Sequence, residues 1–192
     1  TPGFVDLQVN GGGGVLFNDN PSPENLKIIY EAHAKLGSTS IMPTLISDSP
    51  EVNKRAISAI TGALDQQING LVGLHLEGPH LAIERKGAHE ERFIRPMKEF
   101  DCLELESLAN KVPNLMLTIA PEAVSSEQIT RLSNAGAIIS LGHTDCTFNQ
   151  AAEAVDAGAT CATHLFNAMS PFGSREPGLV GAVLNNGKLF SG

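Results

Sequence analysis

The stretch LVGLHLEGP, residues 71–79, decides the fold. Its apolar run is of strand length, and Glu-Gly-Pro ends it, a pattern that predicts a buried strand followed by a loop. Upstream, Ser49-Pro50-Glu51 carries the N-cap chemistry of a helix that runs to about Gln67. Downstream, residues 97–111 have a helical pattern. A buried strand flanked by helices predicts βαβ units and a parallel sheet.

The same alternation extends along the whole chain. Further strand-sized runs span residues 4–9, 39–46, 115–120, 137–141 and 160–166, and Leu189 to Ser191 begins a seventh. A doubly wound sheet and a (β/α)8 barrel both fit this alternation. The barrel is favoured because no glycine-rich turn leads from the first strand into a helix. In addition, the distinctive polar residues follow the carboxyl ends of strands, where barrel enzymes build their sites.

The length of the chain limits how complete this barrel can be. A full barrel takes about 250 residues, and this chain has 192 without a start methionine. We therefore predict an α/β fold, a TIM-like (β/α)8 barrel truncated after about six βα units. Residues 1–192 are expected to form one partial catalytic barrel domain cut from a longer protein.

Composition excludes several functional classes. With 42% hydrophobic and 18% charged residues the chain is not intrinsically disordered. Its net charge of −8 argues against nucleic acid and anionic membrane surfaces as partners. No apolar run approaches the roughly 20 residues of a membrane span, and no signal peptide is visible. Three widely spaced cysteines without a CxxC pair favour the reducing cytoplasm.

Three polar residues fall at the ends of strand runs and are candidate metal ligands. Glu77 ends the third run, His143 ends the fifth, and His164 lies in the sixth. In a barrel these ends share one mouth, where two imidazoles and a carboxylate make a three-ligand site with room for water. The alternative is that each is an ordinary buried polar residue. This donor set accepts zinc, iron(II), cobalt or nickel.

The polar residues of the first strand indicate how many metal ions to expect at this site. Gln8 and Asn10 share one face with Asp6. Barrel metallohydrolases often carry two histidines there, whereas a neutral amide is a poor ligand for a transition metal. We therefore expect one metal ion; Gln8 and Asn10 could bind substrate or water, or satisfy the following loop. The glycine run 11–14 could let backbone amides approach a ligand.

Other candidates for substrate contact lie in loops. His89, in the long charged loop from residue 79 to 96, is placed to touch a substrate. Asn167 and Ala168 follow His164 by a few residues. The fork of Arg175 suits a phosphate, although Arg175 could instead pair with Glu176.

Several segments together resemble one known family. The chain is similar to the N-acetylglucosamine-6-phosphate deacetylases of the amidohydrolase superfamily along essentially its whole length. The segments that carry the resemblance are PGFVD (2–6) with Gln8 and Asn10, HLEGP (75–79), KGAH (86–89), APE (120–122), GHT (142–144), THLFNAM (163–169) and GSREPG (173–178).

The resemblance implies roles for individual residues. Glu77, His143 and His164 match the metal ligands of a single divalent ion, with zinc the first choice. Ala88, Asn167, Ala168 and Arg175 match substrate-binding positions, and His89, Gln8 and Asn10 are further candidates. The arginine is expected to reach the phosphate, in a homodimer or higher homo-oligomer.

The implied activity is hydrolysis of the acetamide of N-acetylglucosamine 6-phosphate by a metal-activated water, giving glucosamine 6-phosphate and acetate in cytoplasmic amino-sugar catabolism or recycling. A general-base aspartate and a histidine of the seventh strand are expected beyond Gly192, as is a small flanking β-domain. The chain alone is therefore expected to be inactive and to contain no general base.

Two other functions remain open on this sequence. One is a different amidohydrolase of the dihydroorotase or nucleobase deaminase type. The other is a non-catalytic barrel that binds a sugar phosphate.

Overall fold

The computed structural model describes residues 2–192, which form a curled parallel sheet with helices outside it. The seven strands of this sheet are β1 (Phe4–Val9), β2 (Ser38–Ile46), β3 (Leu74–Glu77), β4 (Leu115–Ile119), β5 (Ile138–Leu141), β6 (Ala159–Ala162) and β7 (Phe190–Ser191). Each strand pairs in parallel with the one before it in the chain. A doubly wound sheet would reverse its order at some point. The uninterrupted order confirms the truncated TIM-like barrel.

Six helices accompany the strands. They are α1 (Pro23–Ala34), α2 (Pro50–Asp65), α3 (Glu99–Ala109), α4 (Ser126–Asn134), α5 (Phe148–Asp156) and α6 (Gly178–Asn185). The side chains of Ser22 and Ser49 accept N-cap hydrogen bonds, and Ser125 and Gln128 form a capping box. Among residues 2–192, no helix combines the length and apolarity that a membrane crossing requires.

The structure corrects one predicted strand end and the placement of both histidines. The run 160–166 is extended only to Ala162, whereas β5 ends at Leu141 as predicted, so His164 and His143 each lie two residues beyond a strand. The physical reason is the backbone: φ is +49° at His143 and +39° at His164, values that end an extended chain. Both imidazoles are therefore presented by loops.

Two elements were absent from the sequence prediction. Helix α6 was not predicted, because Pro177, Gly178 and Gly181 are residues typical of loops. The other residues of this helix are mostly apolar and buried. Residues 11–12 and 15–16 pair as an antiparallel hairpin. Gly13 and Gly14, with φ of +62° and +85°, form its turn. The glycine run thus forms the hairpin turn.

Inside the barrel, a chain of polar side chains crosses the sheet below the mouth. His75, on β3, is 1% exposed. Its Nδ1 lies 3.1 Å from Thr44 Oγ1 and its Nε2 2.6 Å from Thr118 Oγ1. Thr163 continues the chain with hydroxyl contacts of 2.7 Å to Thr118 and 2.6 Å to Ser140. Burial lowers the pKa of His75 to about 4, so this layer is neutral at pH 7.

A buried carboxylate fixes the start of α3. Asp101 accepts hydrogen bonds from Arg95 Nη1 (2.6 Å), Arg95 Nη2 (2.5 Å) and the Lys98 amide (2.8 Å). Burial opposes ionisation of Asp101, but the hydrogen bonds from Arg95 and Lys98 outweigh it and hold the pKa of the carboxyl below its ordinary value. This bidentate pair ties α3 to the loop that follows β3.

We predict that Asp101→Asn lowers the free energy of unfolding of the full-length protein by about 1–3 kcal/mol at pH 7, because a charge-assisted network is broken. The folded-state pKa of Asp101 is depressed, so its contribution is present above the unfolded-state pKa and is lost as the pH falls. Urea unfolding at a series of pH values should show the two proteins converging in acid. Asp19→Asn, at an exposed position, is the control; equal losses in both variants would contradict the assignment.

Candidate metal centre

Three side chains from three separate loops and strands meet at the mouth of the barrel. His143 Nε2 lies 3.2 Å from Glu77 Oε1, and His164 Nε2 lies 3.3 Å from the same oxygen. The two imidazole Nε2 atoms are 3.1 Å apart. The structure therefore brings together the three residues that the sequence put forward as ligands.

The backbone beside these histidines adopts a conformation that L-residues rarely use. Both His143 and His164 are in the left-handed region, at a cost of roughly 1–2 kcal/mol each. The preceding Gly142 allows a close approach, since a Cβ there would lie 2.9 Å from the Thr118 side chain. Strain of this kind concentrates at functional sites, where the surrounding structure imposes it.

Backbone carbonyls determine which ring nitrogen of each histidine is free. His143 Nδ1 lies 2.8 Å from the Arg85 carbonyl oxygen, and His164 Nδ1 lies 3.0 Å from that of Asn167. Because a carbonyl oxygen can only accept, each Nδ1 must carry the proton. With one proton held at Nδ1, Nε2 is the lone-pair atom of the neutral ring, the form that a metal ligand takes, and Nε2 donates to Glu77 only when the ring carries a second proton.

His89 lies beside this cluster but has the opposite tautomer. The Ser47 amide donates to His89 Nδ1 at 3.2 Å, so Nδ1 accepts and Nε2 carries the proton. That Nε2 lies 3.9 Å from Glu77 Oε2. Burial lowers the pKa of His89 to about 4, which keeps the ring neutral at pH 7. Glu77, His89 and His143 are close enough to share a cation, yet the hydrogen bonding makes His89 a donor into the site.

Glu77 is 3% exposed and remains ionised. Burial opposes its ionisation, but hydrogen bonds from His143 and His164 outweigh burial and hold its pKa far below the ordinary value. For His164, burial is likewise outweighed by the hydrogen bond to Glu77, and its pKa is raised. Gln8 Nε2 also donates to Glu77 Oε1, at 3.0 Å. The first-strand amide thus acts as a hydrogen-bond donor to the carboxylate.

A cleft of about 370 Å³ opens above the cluster. Nine of the ten predicted site residues line it: Gln8, Asn10, Glu77, Ala88, His89, His143, His164, Asn167 and Ala168. Leu16, Asn18, Ile46 and Gly87 also line it and were missed by the sequence analysis. The signal for Leu16 was the glycine run, because the hairpin that these glycines allow carries this side chain to the cleft.

Arg175 is the predicted site residue that does not line the cleft. It is exposed, on the loop before α6. The alternative pairing with Glu176 is not formed either, because the Glu176 carboxylate accepts hydrogen bonds from the amides of Phe148 (2.8 Å) and Gly178 (2.9 Å).

The fold and the site define a class of protein: α/β barrels whose polar site lies at the carboxyl ends of the parallel strands. Over 190 residues the chain is 43% identical to the N-acetylgalactosamine-6-phosphate deacetylase of Shewanella sp. (strain ANA-3), covering 99% of this chain and 48% of that protein. Over 191 residues it is 44% identical to the N-acetylglucosamine-6-phosphate deacetylase of Haemophilus influenzae, covering 97% of this chain and 49% of that protein.

A solved structure agrees with these relatives. The N-acetylglucosamine-6-phosphate deacetylase of Pasteurella multocida superposes with a TM-score of 0.94 at 40% identity, covering 100% of this chain and 50% of that one. No protein-family model matches the chain. The chain spans about half the length of the curated relatives it matches. Along its own whole length it is a homologue of the N-acetylglucosamine-6-phosphate deacetylases, and the expected resemblance is confirmed.

The tautomers predict unequal effects of histidine substitution on metal binding. In the full-length protein, His143→Ala or His164→Ala should weaken zinc binding by more than the 10- to 100-fold typical of an outer-shell partner. His89→Ala should weaken it less than about tenfold, because its lone pair is engaged by Ser47. Zinc affinity measured by competition with a chelating indicator checks this. Equal losses for His89→Ala and His143→Ala would contradict the tautomer argument.

Proposed function

We propose that the protein containing this chain hydrolyses the acetamide of an N-acetylated amino-sugar 6-phosphate, giving the amino-sugar 6-phosphate and acetate. The observation that carries the proposal is the convergence of Glu77, His143 and His164, with both imidazole Nε2 atoms within 3.3 Å of one Glu77 oxygen. The names of the relatives supply the substrate class. We place the reaction in cytoplasmic amino-sugar catabolism or recycling.

The donor set fits one divalent metal ion. Two neutral imidazoles and a carboxylate are typical of catalytic zinc sites with an open position, and iron, cobalt and nickel suit the same donors. Such an ion, when bound, lowers the pKa of a water and polarises a carbonyl. Glu77, His143 and His164 would hold it, while the carbonyls of Arg85 and Asn167 keep the rings oriented.

The remaining residues of the cleft have the chemistry to orient an acetamide. His89 Nε2–H points toward the site and would donate to the acetyl oxygen as negative charge develops there. Its low pKa makes it a neutral donor that keeps its proton. Ala88, Asn167 and Ala168 line the cleft and would contact the sugar, and Gln8 and Asn10, which also line it, are further contacts.

The proton acceptor of the reaction is proposed to lie outside this chain. Among residues 2–192, Glu77 is the one carboxylate that lines the cleft, and it is assigned to the metal. The resemblance implies a general-base aspartate on a later strand. We therefore propose that residues 1–192 are part of a catalytic barrel domain whose remaining strands and flanking β-domain complete the site.

The identity of the sugar is proposed with one alternative. We propose N-acetylglucosamine 6-phosphate as the substrate, following the relative from Haemophilus influenzae. N-acetylgalactosamine 6-phosphate is the second candidate, because a relative of nearly equal identity is named for it. The two sugars differ only in the orientation of one hydroxyl, at C4, so acetate release from both by the full-length protein decides between them.

We predict that Glu77→Gln in the full-length protein lowers bound metal and deacetylation together, with activity reduced at least about 100-fold, because a neutral amide replaces an anionic ligand. Metal analysis and an acetate-release assay measure the two quantities. Unchanged metal stoichiometry would overturn the ligand assignment. Hydrolysis of a dihydroorotate-type or nucleobase substrate in place of the sugar phosphate would favour the other amidohydrolases, and binding without turnover would favour a non-catalytic barrel.

Arg175 is proposed to bind the substrate phosphate across a homodimer interface, since its exposed position is outside the cleft of its own chain. Arg175→Ala should raise KM for the sugar phosphate about 10- to 100-fold, because a bidentate guanidinium–phosphate pair is lost. N-acetylglucosamine without the phosphate is the control substrate and should be used equally well by both proteins. The same loss on both substrates would remove the phosphate role.

A further inference from the structure

An ion pair between the loops that follow β3 and β5 is connected to one of the proposed metal ligands. Arg85 Nε and Nη2 lie 2.8 Å and 2.7 Å from Asp145 Oδ1. The two side chains are 34% and 48% exposed. A pair as exposed as this one ordinarily contributes little to stability. Any functional effect of this pair must therefore come from the groups whose positions the pair fixes.

The main chain of Arg85 contacts His143 directly. Its carbonyl oxygen is the acceptor for His143 Nδ1 at 2.8 Å. Arg85 is the last residue of a short 3-10 turn, Ile83–Arg85. Just before this turn, the Ala82 amide donates a hydrogen bond to the His143 carbonyl at 2.9 Å. A Cβ on Gly87 would lie 3.2 Å from His143 Cε1, so the loop continues in contact with the ring. The loop therefore encloses His143 on its Nδ1 side.

Asp145 is itself fixed by a third loop. The Glu122 carboxylate accepts a hydrogen bond from the Asp145 amide at 2.6 Å and another from the Thr144 hydroxyl at 2.5 Å. Glu122 follows β4, Asp145 follows β5, and Arg85 follows β3. The ion pair and the hydrogen bonds to Glu122 together join the loops after three neighbouring strands.

We propose that Arg85 is a positioning residue for His143: its side chain, anchored on Asp145, holds its own carbonyl where that oxygen fixes the tautomer and angle of the ring. The guanidinium touches neither the cleft nor the proposed ligand atoms. This inference rests on the metal site of the proposed function, and it concerns metal binding rather than the identity of the sugar.

Electrostatics and positioning give opposite expectations for removal of this arginine. A guanidinium near a cation site repels the cation, so its loss should tighten metal binding if charge alone matters. If the side chain holds the carbonyl, its loss should weaken metal binding, because outer-shell partners of ligating histidines typically contribute 10- to 100-fold in affinity. The sign of the change separates the two effects.

The test is zinc affinity of the full-length protein, measured by chelator competition without substrate, for Arg85→Ala, Arg85→Lys and Arg92→Ala. Arg92 is a matched control, because it lies in the same loop with its Nε 2.7 Å from Glu90 Oε2 and is more exposed. Arg85→Ala should weaken zinc binding about tenfold, Arg85→Lys should recover most of the loss, and Arg92→Ala should leave affinity unchanged. The visible spectrum of the cobalt-substituted protein should shift in Arg85→Ala alone, since it reports ligand geometry.

Melting in EDTA shows whether folding explains the result. Equal melting temperatures for the Arg85 and Arg92 variants, with weaker zinc binding in Arg85→Ala alone, support the inference. Unchanged or tighter zinc binding in Arg85→Ala overturns it, as does a wild-type protein that binds no zinc. A wild type that binds zinc without deacetylating either sugar overturns the proposed substrate, and tenfold weaker binding in Arg85→Ala would still support the positioning role.

Discussion

The candidate site depends on the fact that a neutral imidazole has one N–H and one lone pair. A hydrogen bond at one ring nitrogen therefore decides the chemistry of the other. Two carbonyl oxygens, from Arg85 and Asn167, fix His143 and His164 as lone-pair donors, while a single amide, from Ser47, fixes His89 as a proton donor. Three histidines within one cluster thus receive two different roles from the main chain around them.

The barrel makes this arrangement possible because its strands hold the site in place while the loops after them carry most of its polar side chains. The strands are parallel, and they end at or just before Glu77, His143 and His164. The loops that follow carry the unusual backbone conformations, including left-handed residues at both histidines. Their strain is offset by a core of buried apolar side chains packed between the sheet and the helices.

The secondary-structure elements that depend on nearby residues were the ones that the sequence predicted. Alternating apolar runs, capping serines and terminating glycines located β1, β3 and most helices, because those signals act over a few residues. The three candidate metal ligands could also be predicted, since the ends of parallel strands meet at one mouth of the barrel. The tautomer of His89 could not be predicted, because it is set by Ser47, 42 residues away. Helix α6 and the hairpin were missed because glycine was interpreted as a loop signal. Arg175 was expected at the site but lies on an exposed loop outside the cleft, a position that no local sequence signal marks.

The hydroxyl–imidazole chain inside the barrel has an evolutionary consequence. Each of Thr44, His75, Thr118, Thr163 and Ser140 completes the hydrogen bonding of its neighbour. Loss of one hydroxyl therefore leaves another buried group unsatisfied, a larger penalty than the loss of a single bond. Substitutions in this layer are tolerated best when two adjacent positions change together. The five positions should accordingly drift as a coupled set among descendants of this sequence, while the apolar layer around them varies one residue at a time.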